Sequence, residues 1–378
     1  MDKRFTTIEL FAGIGGFRVA ADNLGLDTLW ANDINKDAAK VYTDNYGSDR
    51  FVLGDINEHF DSIPDHDLLT GGFPCQPFSK AGKKLGVDDY RGTLFEAIVK
   101  ILVKKHPSFF VLENVNSLLY MDNGRNFQVI LNALASLDYK IEWRVFNAME
   151  FGLPQHRERV IIIGARDKAY NSSYFMDFST LEGMPDAFFD TVGSFDQWTS
   201  IQEDVKKKTF STWGMAMNGR FVTSNISPKI PVGLTIKSIL QDEVPEEFDF
   251  TEDTKIRLQS SVKVDKFYNG VEILYNQAGG ARMGYSIFGT NGVAPTLTAS
   301  TSRHYERYKI GDCFRRLTNV EYARLQGFSD NHCKAVSPYN QYKLYGNAVP
   351  HQIVQHAMDV LLNNRTMVIN KRNYTLFD

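Results

Sequence analysis

Short apolar runs alternate with amphipathic stretches over the first 167 residues of this 378-residue chain. Seven runs have the length and apolar character of buried strands, and four stretches between them repeat apolar residues at helical spacing. The predicted strands are 8–11, 28–31, 51–53, 68–70, 109–112, 141–146 and 160–163, and the predicted helices are 19–24, 37–45, 93–104 and 126–137. Strands separated by helices predict an α/β fold with a doubly wound sheet.

The pattern changes after residue 167, where periodic segments become rarer. We therefore expect a first domain over residues 1–167, a different domain over residues 168–314, and a segment over residues 315–378 that returns to the first domain. Helical spacing at 319–326 and at 351–363 indicates the return.

Composition is that of an ordinary globular protein, with 43% hydrophobic and 23% charged residues. Forty-two Lys and Arg against 45 Asp and Glu leave a net charge of −3, so any surface for nucleic acid must be local. Three cysteines without a CxxC pair favour a reducing, cytoplasmic location over a disulfide framework or a zinc site. No apolar run is long enough to predict a membrane span.

A glycine-rich turn lies between the first predicted strand and the first predicted helix. Gly13 and Gly15 let the backbone approach a ligand closely, and a helix N-terminus favours negative groups. Arg18 stands where the NAD fingerprint requires its third glycine, so NAD-dependent oxidoreduction is excluded and a different nucleotide-like cofactor is favoured.

Two aspartates follow the next two predicted strands. Asp33 is placed to accept hydrogen bonds from ribose hydroxyls, and Asp55 is placed to accept one from an adenine amino group. The apolar Ile34 and Ile56 beside them could enclose the adenine ring. Each aspartate alone is better explained as a helix cap or turn residue, but with the glycine turn they predict an adenosine site.

A cysteine between two prolines follows the fourth predicted strand. Pro74 and Pro77 force an ordered turn that presents Cys75 at the carboxyl edge of the sheet, where α/β folds bind ligands. A lone cysteine after a strand is usually a small buried residue. A presented cysteine, however, is a candidate nucleophile.

Charged residues adjoin the fifth and seventh predicted strands. Glu113 and Asn114 follow an apolar run, and burial would raise the pKa of Glu113 until it could donate a proton at neutral pH. Arg157 and Arg159 lie on one face and suit a phosphate or carboxylate. Taken singly, Glu113 is better explained as a capping or ion-paired acid, and the arginines as a charged hairpin edge.

These segments resemble, in the same order, motifs of the DNA (cytosine-5) methyltransferases of bacterial restriction-modification systems. The matching segments are 11–17, Pro74-Cys75-Gln76, Glu113-Asn114-Val115 and 155–159, followed by 315–328 and 345–350, which are similar to late motifs of the family. The resemblance implies an α/β fold, in which a Rossmann-like S-adenosylmethionine-dependent methyltransferase domain carries a second, smaller and irregular target-recognition domain. Without the resemblance, the residues predict only a presented cysteine, an acid and an adenosine site, and they do not identify cytosine as the substrate.

The resemblance also implies how the reaction is shared among side chains. The target cytosine leaves the duplex, Cys75 attacks its C6, Glu113 holds or protonates N3, Arg159 orients the base, and C5 receives a methyl group. The implied catalytic residues are Cys75, Glu113, Asn114, Arg157 and Arg159. The implied contacts of S-adenosylmethionine are Phe11, Gly13, Gly15, Asp33, Ile34, Asp55, Ile56, Pro74, Leu94 and Asn347, and no metal is expected.

Double-stranded DNA is the partner that the resemblance implies. The expected DNA contacts are Gln76, Ser79, Lys83, Arg91, Arg282, Thr296, Arg303 and Arg307. Residues 282–309 interleave bases with aromatic side chains, a pattern typical of nucleic-acid surfaces and equally of strands that alternate between core and solvent. We expect a monomer, and a cognate restriction endonuclease that acts on the same DNA site without binding this protein.

Two other functions remain open from the sequence. A tRNA cytosine-5 methyltransferase would use the same scaffold, although the sizeable variable region favours a protein that reads duplex DNA. A catalytically silent, cofactor-binding regulator is the second alternative. The complete set of Cys75, Glu113 and Arg159 argues against it.

Overall fold

The computed structural model describes residues 5–74, 94–166, 172–176, 186–202, 210–259, 261–276, 286–299, 306–363 and 367–368. The strands in these residues are β1 Thr6–Leu10, β2 Asp27–Asp33, β3 Phe51–Leu53, β4 Leu68–Gly72, β5 Phe109–Val115, β6 Lys140–Asn147, β7 Glu158–Ala165, β8 Ser172–Ser173, β9 Thr199–Ser200, β10 Trp213–Met217, β11 Arg220–Ser224, β12 Val262–Tyr268, β13 Val271–Asn276, β14 Ser286–Phe288, β15 Arg307–Ile310, β16 Cys313–Arg315 and β17 Met367–Val368. The α-helices are α1 Gly16–Asn23, α2 Lys36–Tyr46, α3 Leu94–Lys105, α4 Arg125–Ala135, α5 Asp186–Gly193, α6 Glu252–Gln259, α7 Asn319–Leu325, α8 Pro338–Asn347 and α9 His351–Leu362.

Ten strands form the larger sheet, in the order β3-β2-β1-β4-β5-β7-β6-β10-β11-β9. The first five in this order are parallel, and β7 lies antiparallel between β5 and β6. All seven strands predicted from the apolar runs are present, and the predicted α/β class is confirmed. The antiparallel β7 makes the sheet mixed, which the alternation of strands and helices did not reveal.

The central strands of the larger sheet are buried on both faces, which explains why they are continuous apolar runs. Successive residues of β5 point into opposite layers, so Phe110 and Leu112 join one hydrophobic cluster while Val111 joins another. Helices α3 and α4 cover the first layer, and α1 and α9 cover the second. Helix α9 comes from the last part of the chain and packs with α1, as its helical spacing indicated.

Strands from residues 199–224 extend the larger sheet beyond β6. These residues were expected in the second region, because short strands without periodic spacing cannot be recognised as strands from the sequence. In β10, Met215 and Ala216 enter different hydrophobic clusters, so this strand too is buried on both faces. Gly214 is required there, since a Cβ would lie 2.2 Å from the Trp143 ring. The change of sheet therefore comes later along the chain than the expected boundary at residue 167.

The second sheet has five strands in the order β12-β13-β14-β15-β16. Its strands are antiparallel except for the parallel pair β14 and β15. It shares a hydrophobic cluster with the first region, in which Ile14 and Val41 pack with Phe288, Tyr308 and Tyr345. The turn after β1 is therefore held from both regions of the chain. No helix among the described residues is both long and apolar enough to cross a membrane.

Candidate active site

A cavity of about 410 Å³ opens at the carboxyl edge of the larger sheet. Its lining includes residues at or just after the carboxyl ends of β1, β2, β4 and β5, together with residues at the end of α8. This is the edge at which open α/β sheets bind ligands, and the volume suits a nucleotide-sized molecule. The sequence-predicted residues in the lining are Phe11, Gly13, Asp33, Ile34, Pro74, Leu94, Glu113, Asn114, Arg159 and Asn347.

The glycine turn after β1 forms one wall of the cavity. Gly13 and Gly15 have φ values of 54° and 87°, in the left-handed region that favours glycine. A Cβ at Gly15 would lie 2.7 Å from the Tyr46 ring, and one at Gly16 would lie 2.7 Å from the carbonyl oxygen of Val349. The turn is therefore enclosed between α2 and the C-terminal segment, and larger residues do not fit at Gly15 or Gly16.

Asp33 links this turn to the end of β2. Its Oδ2 accepts a hydrogen bond from the Gly13 amide at 2.8 Å, and its Oδ1 accepts one from the Asn35 amide at 2.7 Å. Burial raises the pKa of Asp33, and these amides oppose the rise because they stabilise the carboxylate. Each oxygen keeps a lone pair that a ribose hydroxyl could use.

Ile34, next to Asp33, leaves 71% of its surface exposed although it is large and apolar. It lies in the cavity lining, so its uncovered side faces the space that a ligand would fill. A carboxylate with spare lone pairs beside an uncovered apolar surface suits an adenosine moiety. The residues present therefore fit the adenosine end of S-adenosylmethionine.

The other half of the expected adenine pocket has a structural role. Asp55 Oδ1 accepts hydrogen bonds from the backbone and the side-chain nitrogens of Asn57, both at 2.9 Å, and caps the short 3-10 helix Ile56–Glu58. Ile56 is buried in a hydrophobic cluster. Neither residue is in the described lining, and Asp55 adopts the helix-capping arrangement that was the alternative from sequence.

An ion pair occupies the part of the cavity next to β5 and β7. Arg159 Nε lies 2.8 Å from Glu113 Oε1, and the two side chains are only 11% and 14% exposed. Burial raises the pKa of Glu113 despite the opposing charges of Arg159 and Arg157. Glu113 is thus held in a fixed direction while its proton becomes harder to lose.

Asn114 connects β5 to the turn after β4. Its Nδ2 donates to the carbonyl oxygen of Phe73 at 2.9 Å, and its Oδ1 accepts from the Val115 amide at 2.9 Å. Pro74 follows Phe73 and lines the cavity, whereas Cys75 lies outside the described residues. Asn114 therefore anchors the chain immediately before the predicted nucleophile.

Two residues that support the glycine turn escaped the sequence analysis. The N-cap of α1 is Gly15, which has no side chain to accept a hydrogen bond from the first turn of the helix. Glu9 from β1 accepts that hydrogen bond instead, from the Phe17 amide at 3.2 Å. Burial raises the pKa of Glu9 to about 8. His332 Nε2 lies 2.7 Å from the Ile14 carbonyl oxygen, to which it donates. The position of Glu9, an acid inside an apolar strand, could have indicated its role. No pattern near His332 indicated that this side chain contacts the turn.

The family model described as C-5 cytosine-specific DNA methylase matches residues 5–363 of the chain. The chain belongs to this family. Its reaction is the methylation of cytosine C5 in DNA, for which the family uses S-adenosylmethionine. The family resemblance seen in the sequence is confirmed, and the regulator and tRNA alternatives are set aside.

Relatives match this cytosine methylase over nearly its whole length. Type II methyltransferase M1.ScrFI of Lactococcus lactis subsp. cremoris is 34% identical over 375 residues, covering 95% of this chain and 79% of the relative. Type II methyltransferase M.HaeII of Haemophilus aegyptius is 32% identical over 371 residues, covering 98% and 96%. The crystal structure of S. pombe Dnmt2 methyltransferase shares the fold, with a TM-score of 0.62 and 19% identity over 96% of this chain and 99% of that one.

Arg157 of the methylase does not lie in the described cavity lining. Its side chain is fully buried and donates only to main-chain carbonyl oxygens: Leu297 at 2.9 Å, Gly346 at 3.0 Å and Ala348 at 2.7 Å. Arg157 immediately precedes β7 and Arg159 lies within it, and the structure brings only Arg159 to the described cavity lining.

The expected DNA contacts of the methylase are mostly outside the described residues; these are Gln76, Ser79, Lys83, Arg91, Arg282 and Arg303. Thr296 is partly buried, and its hydroxyl donates to the His156 carbonyl oxygen at 2.6 Å. Arg307 is partly buried in β15, where Tyr308 is fully buried. The ring of Tyr308 is core and unavailable for stacking on a base.

The described residues of the methylase contain no group of three or more His, Cys, Asp or Glu placed to hold a metal ion.

Proposed function

We propose that this methyltransferase modifies one cytosine within a specific short duplex DNA sequence, as the modification enzyme of a Type II restriction-modification system. The names of the relatives support this assignment, because both are Type II methyltransferases and the matches cover 79% and 96% of their lengths. The observation that carries the chemistry is the Glu113–Arg159 pair, because it shares one cavity with Asp33 and Pro74.

The adenosine end of the cofactor site is formed by Asp33, Ile34 and the turn at Gly13. Leu94, Asn347 and Pro74 belong to the lining of the same cavity. S-adenosylmethionine, when bound, supplies an electrophilic methyl group on a positively charged sulfur. Phe11 and Gly15 shape the turn, while the expected contacts Asp55 and Ile56 lie outside the described lining.

The flipped cytosine enters the part of the cavity that contains Glu113, because its C5 and C6 cannot be reached inside the duplex. The Cys75 thiolate attacks C6 and forms a carbon–sulfur bond, while the electrons of the C5–C6 double bond shift toward N3. Glu113 gives its proton to N3, so the ring does not accumulate negative charge. Arg159 holds Glu113 at 2.8 Å and keeps the carboxyl directed at the base.

Once C5 has been methylated, the ring must become aromatic again. C5 loses its proton to a water molecule and the electrons of that bond restore the C5–C6 double bond. The bond to Cys75 breaks and releases the thiolate, and the proton on N3 returns to Glu113. Asn114 contributes by anchoring the Phe73 carbonyl, which fixes the start of the turn that carries Cys75. Arg157 acts through position and does not touch the base.

DNA lies across the open side of the cavity. Gln76, Ser79, Lys83 and Arg91 follow the cysteine and contact the strand from which the base leaves. Arg282, Thr296, Arg303 and Arg307 read or hold the duplex from the second region, through phosphate or base-edge contacts. The enzyme acts as a monomer and protects the site that a separate endonuclease would cut.

Transfer of a labelled methyl group to duplex DNA of mixed sequence, followed by bisulfite sequencing, tests this function. Label should appear at C5 of cytosine within one recurring short sequence. The matched Cys75→Ser protein should bind S-adenosylhomocysteine as the wild type does and transfer no label. Label on scattered cytosines, or normal transfer by Cys75→Ser, would contradict the proposal.

A further inference from the structure

Three segments that are far apart in the chain meet at the Arg157 guanidinium. Its Nη1 donates to Leu297, which precedes the second sheet's β15, and its Nη2 donates to both Gly346 and Ala348. The latter two carbonyls flank Asn347, which lines the cavity. One side chain therefore fixes the main chain on both sides of a cavity residue.

The geometry of this contact requires an arginine. Three carbonyl oxygens in different directions are bonded at 2.7–3.0 Å by a planar, rigid fork. The side chain is fully buried, so a missing bond would leave a carbonyl without water to replace it. Lysine offers one nitrogen on a flexible stem and cannot satisfy the same three oxygens in place.

The segments held by Arg157 also touch each other directly. A Cβ at Gly346 would lie 2.3 Å from the carbonyl oxygen of Thr298, so no larger residue fits between them. Gln155 strengthens the contact, because its Oε1 accepts from the Leu297 amide at 3.1 Å and its Nε2 donates to the Leu325 carbonyl at 3.0 Å. The main chain of 297–298 is thus the surface on which the Asn347 segment rests.

We propose that Arg157 is a positioning residue for the cofactor: it holds Asn347 in the wall of the cavity by clamping Gly346 and Ala348 against Leu297. It takes no part in the chemistry at the cytosine. The proposal rests on the assignment of this cavity to S-adenosylmethionine. It places the functional importance of Arg157 in cofactor affinity, whereas Arg159 acts on the base.

The test compares Arg157→Lys with a matched control, Arg315→Lys, in the full-length protein. Arg315 is also buried and makes three hydrogen bonds, two to Glu321 at 2.8 Å and one to the Arg316 carbonyl oxygen at 2.9 Å, and it is not in the described cavity lining. Binding of S-adenosylhomocysteine is measured by calorimetry, and unfolding is followed in urea. Both substitutions should lower stability, but only Arg157→Lys should weaken binding, by about tenfold for the loss of one net hydrogen bond.

Steady-state rates separate positioning from catalysis. Arg157→Lys should raise the KM for the cofactor by a similar factor while kcat at saturating cofactor changes much less. Gly346→Ala probes the same contact without touching Arg157, and it should also weaken binding because its Cβ displaces the Thr298 carbonyl. A loss of kcat with unchanged affinity would overturn the proposal, as would equal weakening by Arg315→Lys.

A third variant distinguishes failure of this proposal from failure of the cavity assignment. Asp33→Asn removes a carboxylate that faces the cavity directly. If Asp33→Asn weakens binding and Arg157→Lys does not, the clamp is wrong and the cavity assignment stands. If neither substitution changes the affinity for S-adenosylhomocysteine, the assignment of the cavity is wrong, and the clamp proposal falls with it.

Discussion

Side chains of the larger sheet alternate between two buried layers, whereas those of the edge strand β12 are almost all exposed. Burial on both faces strongly specifies the register of a strand, and this fixes the positions of the residues at the carboxyl ends of β2, β4 and β5. An exposed strand such as β12 tolerates substitution of its side chains, because they pack against few neighbours. The chemistry of the methylase is thus built on the constrained sheet, and variation is permitted on the other.

Both regions bury a carboxyl that is hydrogen-bonded to a tyrosine. Glu9 accepts from the hydroxyl of Tyr42 at 3.1 Å, and Glu306 accepts from the hydroxyl of Tyr322. Burial raises the pKa in both cases. Only Glu9 also bonds to the wall of the cavity, through the Phe17 amide. The Glu306–Tyr322 pair is therefore part of the core alone, while the Glu9–Tyr42 pair also supports the candidate active site.

The largest expected effect concerns Glu9 and pH. Its pKa is raised from 4.5 to about 8, so the stabilisation provided by its neutral form is complete below pH 4.5 and is lost as pH rises to about 8. At about 1.4 kcal/mol per pH unit, this loss approaches ~5 kcal/mol. Urea unfolding of Glu9→Gln should therefore show a flatter decline of stability with pH than the wild type.

Glu306→Gln is the control for this comparison. It should also flatten the pH dependence of stability, but it should leave the affinity for S-adenosylhomocysteine unchanged, whereas Glu9→Gln should reduce it through the turn. Identical pH profiles for Glu9→Gln and the wild type would show that Glu9 does not titrate in this range.

The second effect is on the rate of methyl transfer. Glu113→Gln should lower kcat by about 10²–10³ because the amide cannot give a proton to N3. In the wild type, the raised pKa of Glu113 extends activity to higher pH than an ordinary carboxyl would allow, and the rate should fall as pH rises through that pKa. Single-turnover rates across pH measure both, and an unchanged rate for Glu113→Gln would remove the proposed proton donor.

A smaller effect is expected at Ile34, an exposed apolar residue of the larger sheet. Ile34→Ala should weaken binding of S-adenosylhomocysteine by about fivefold to tenfold, since the proposed site places the uncovered side chain against the adenine ring. Stability should stay the same because the side chain is already 71% exposed. Calorimetry and thermal unfolding test these separately, and a drop in stability without loss of affinity would contradict the assignment.

The smallest effect is predicted for an equally exposed residue of the second sheet. Val262 in β12 is 64% exposed, and Val262→Thr should change the free energy of unfolding by less than about 0.5 kcal/mol. The affinity for S-adenosylhomocysteine should not change. Together with Ile34→Ala, this substitution shows whether an exposed apolar side chain matters because of its exposure or because of the cavity that it faces.

Much of the first region could be predicted because its signals are local. Apolar runs and helical spacing depend on neighbouring residues, and they predicted all seven strands and the positions of Asp33, Asn114 and Glu113 at strand ends. The second region gave weaker signals. Its strands are short, and interleaved bases and aromatics suit a DNA surface and a core strand equally well; the buried Tyr308 shows that the core explanation holds at that position.

The sequence by itself determined the fold class, the family and the list of reactive groups, since each depends on residue types in order along the chain. Tertiary structure alone decided which groups meet. Because β7 runs antiparallel to β5, Arg159 lies opposite Val115 and within reach of Glu113. Arg157, which immediately precedes β7, is instead enclosed by the carbonyl groups of Gly346 and Ala348. No local pattern encodes that difference, because the partners are brought together only when the two regions pack.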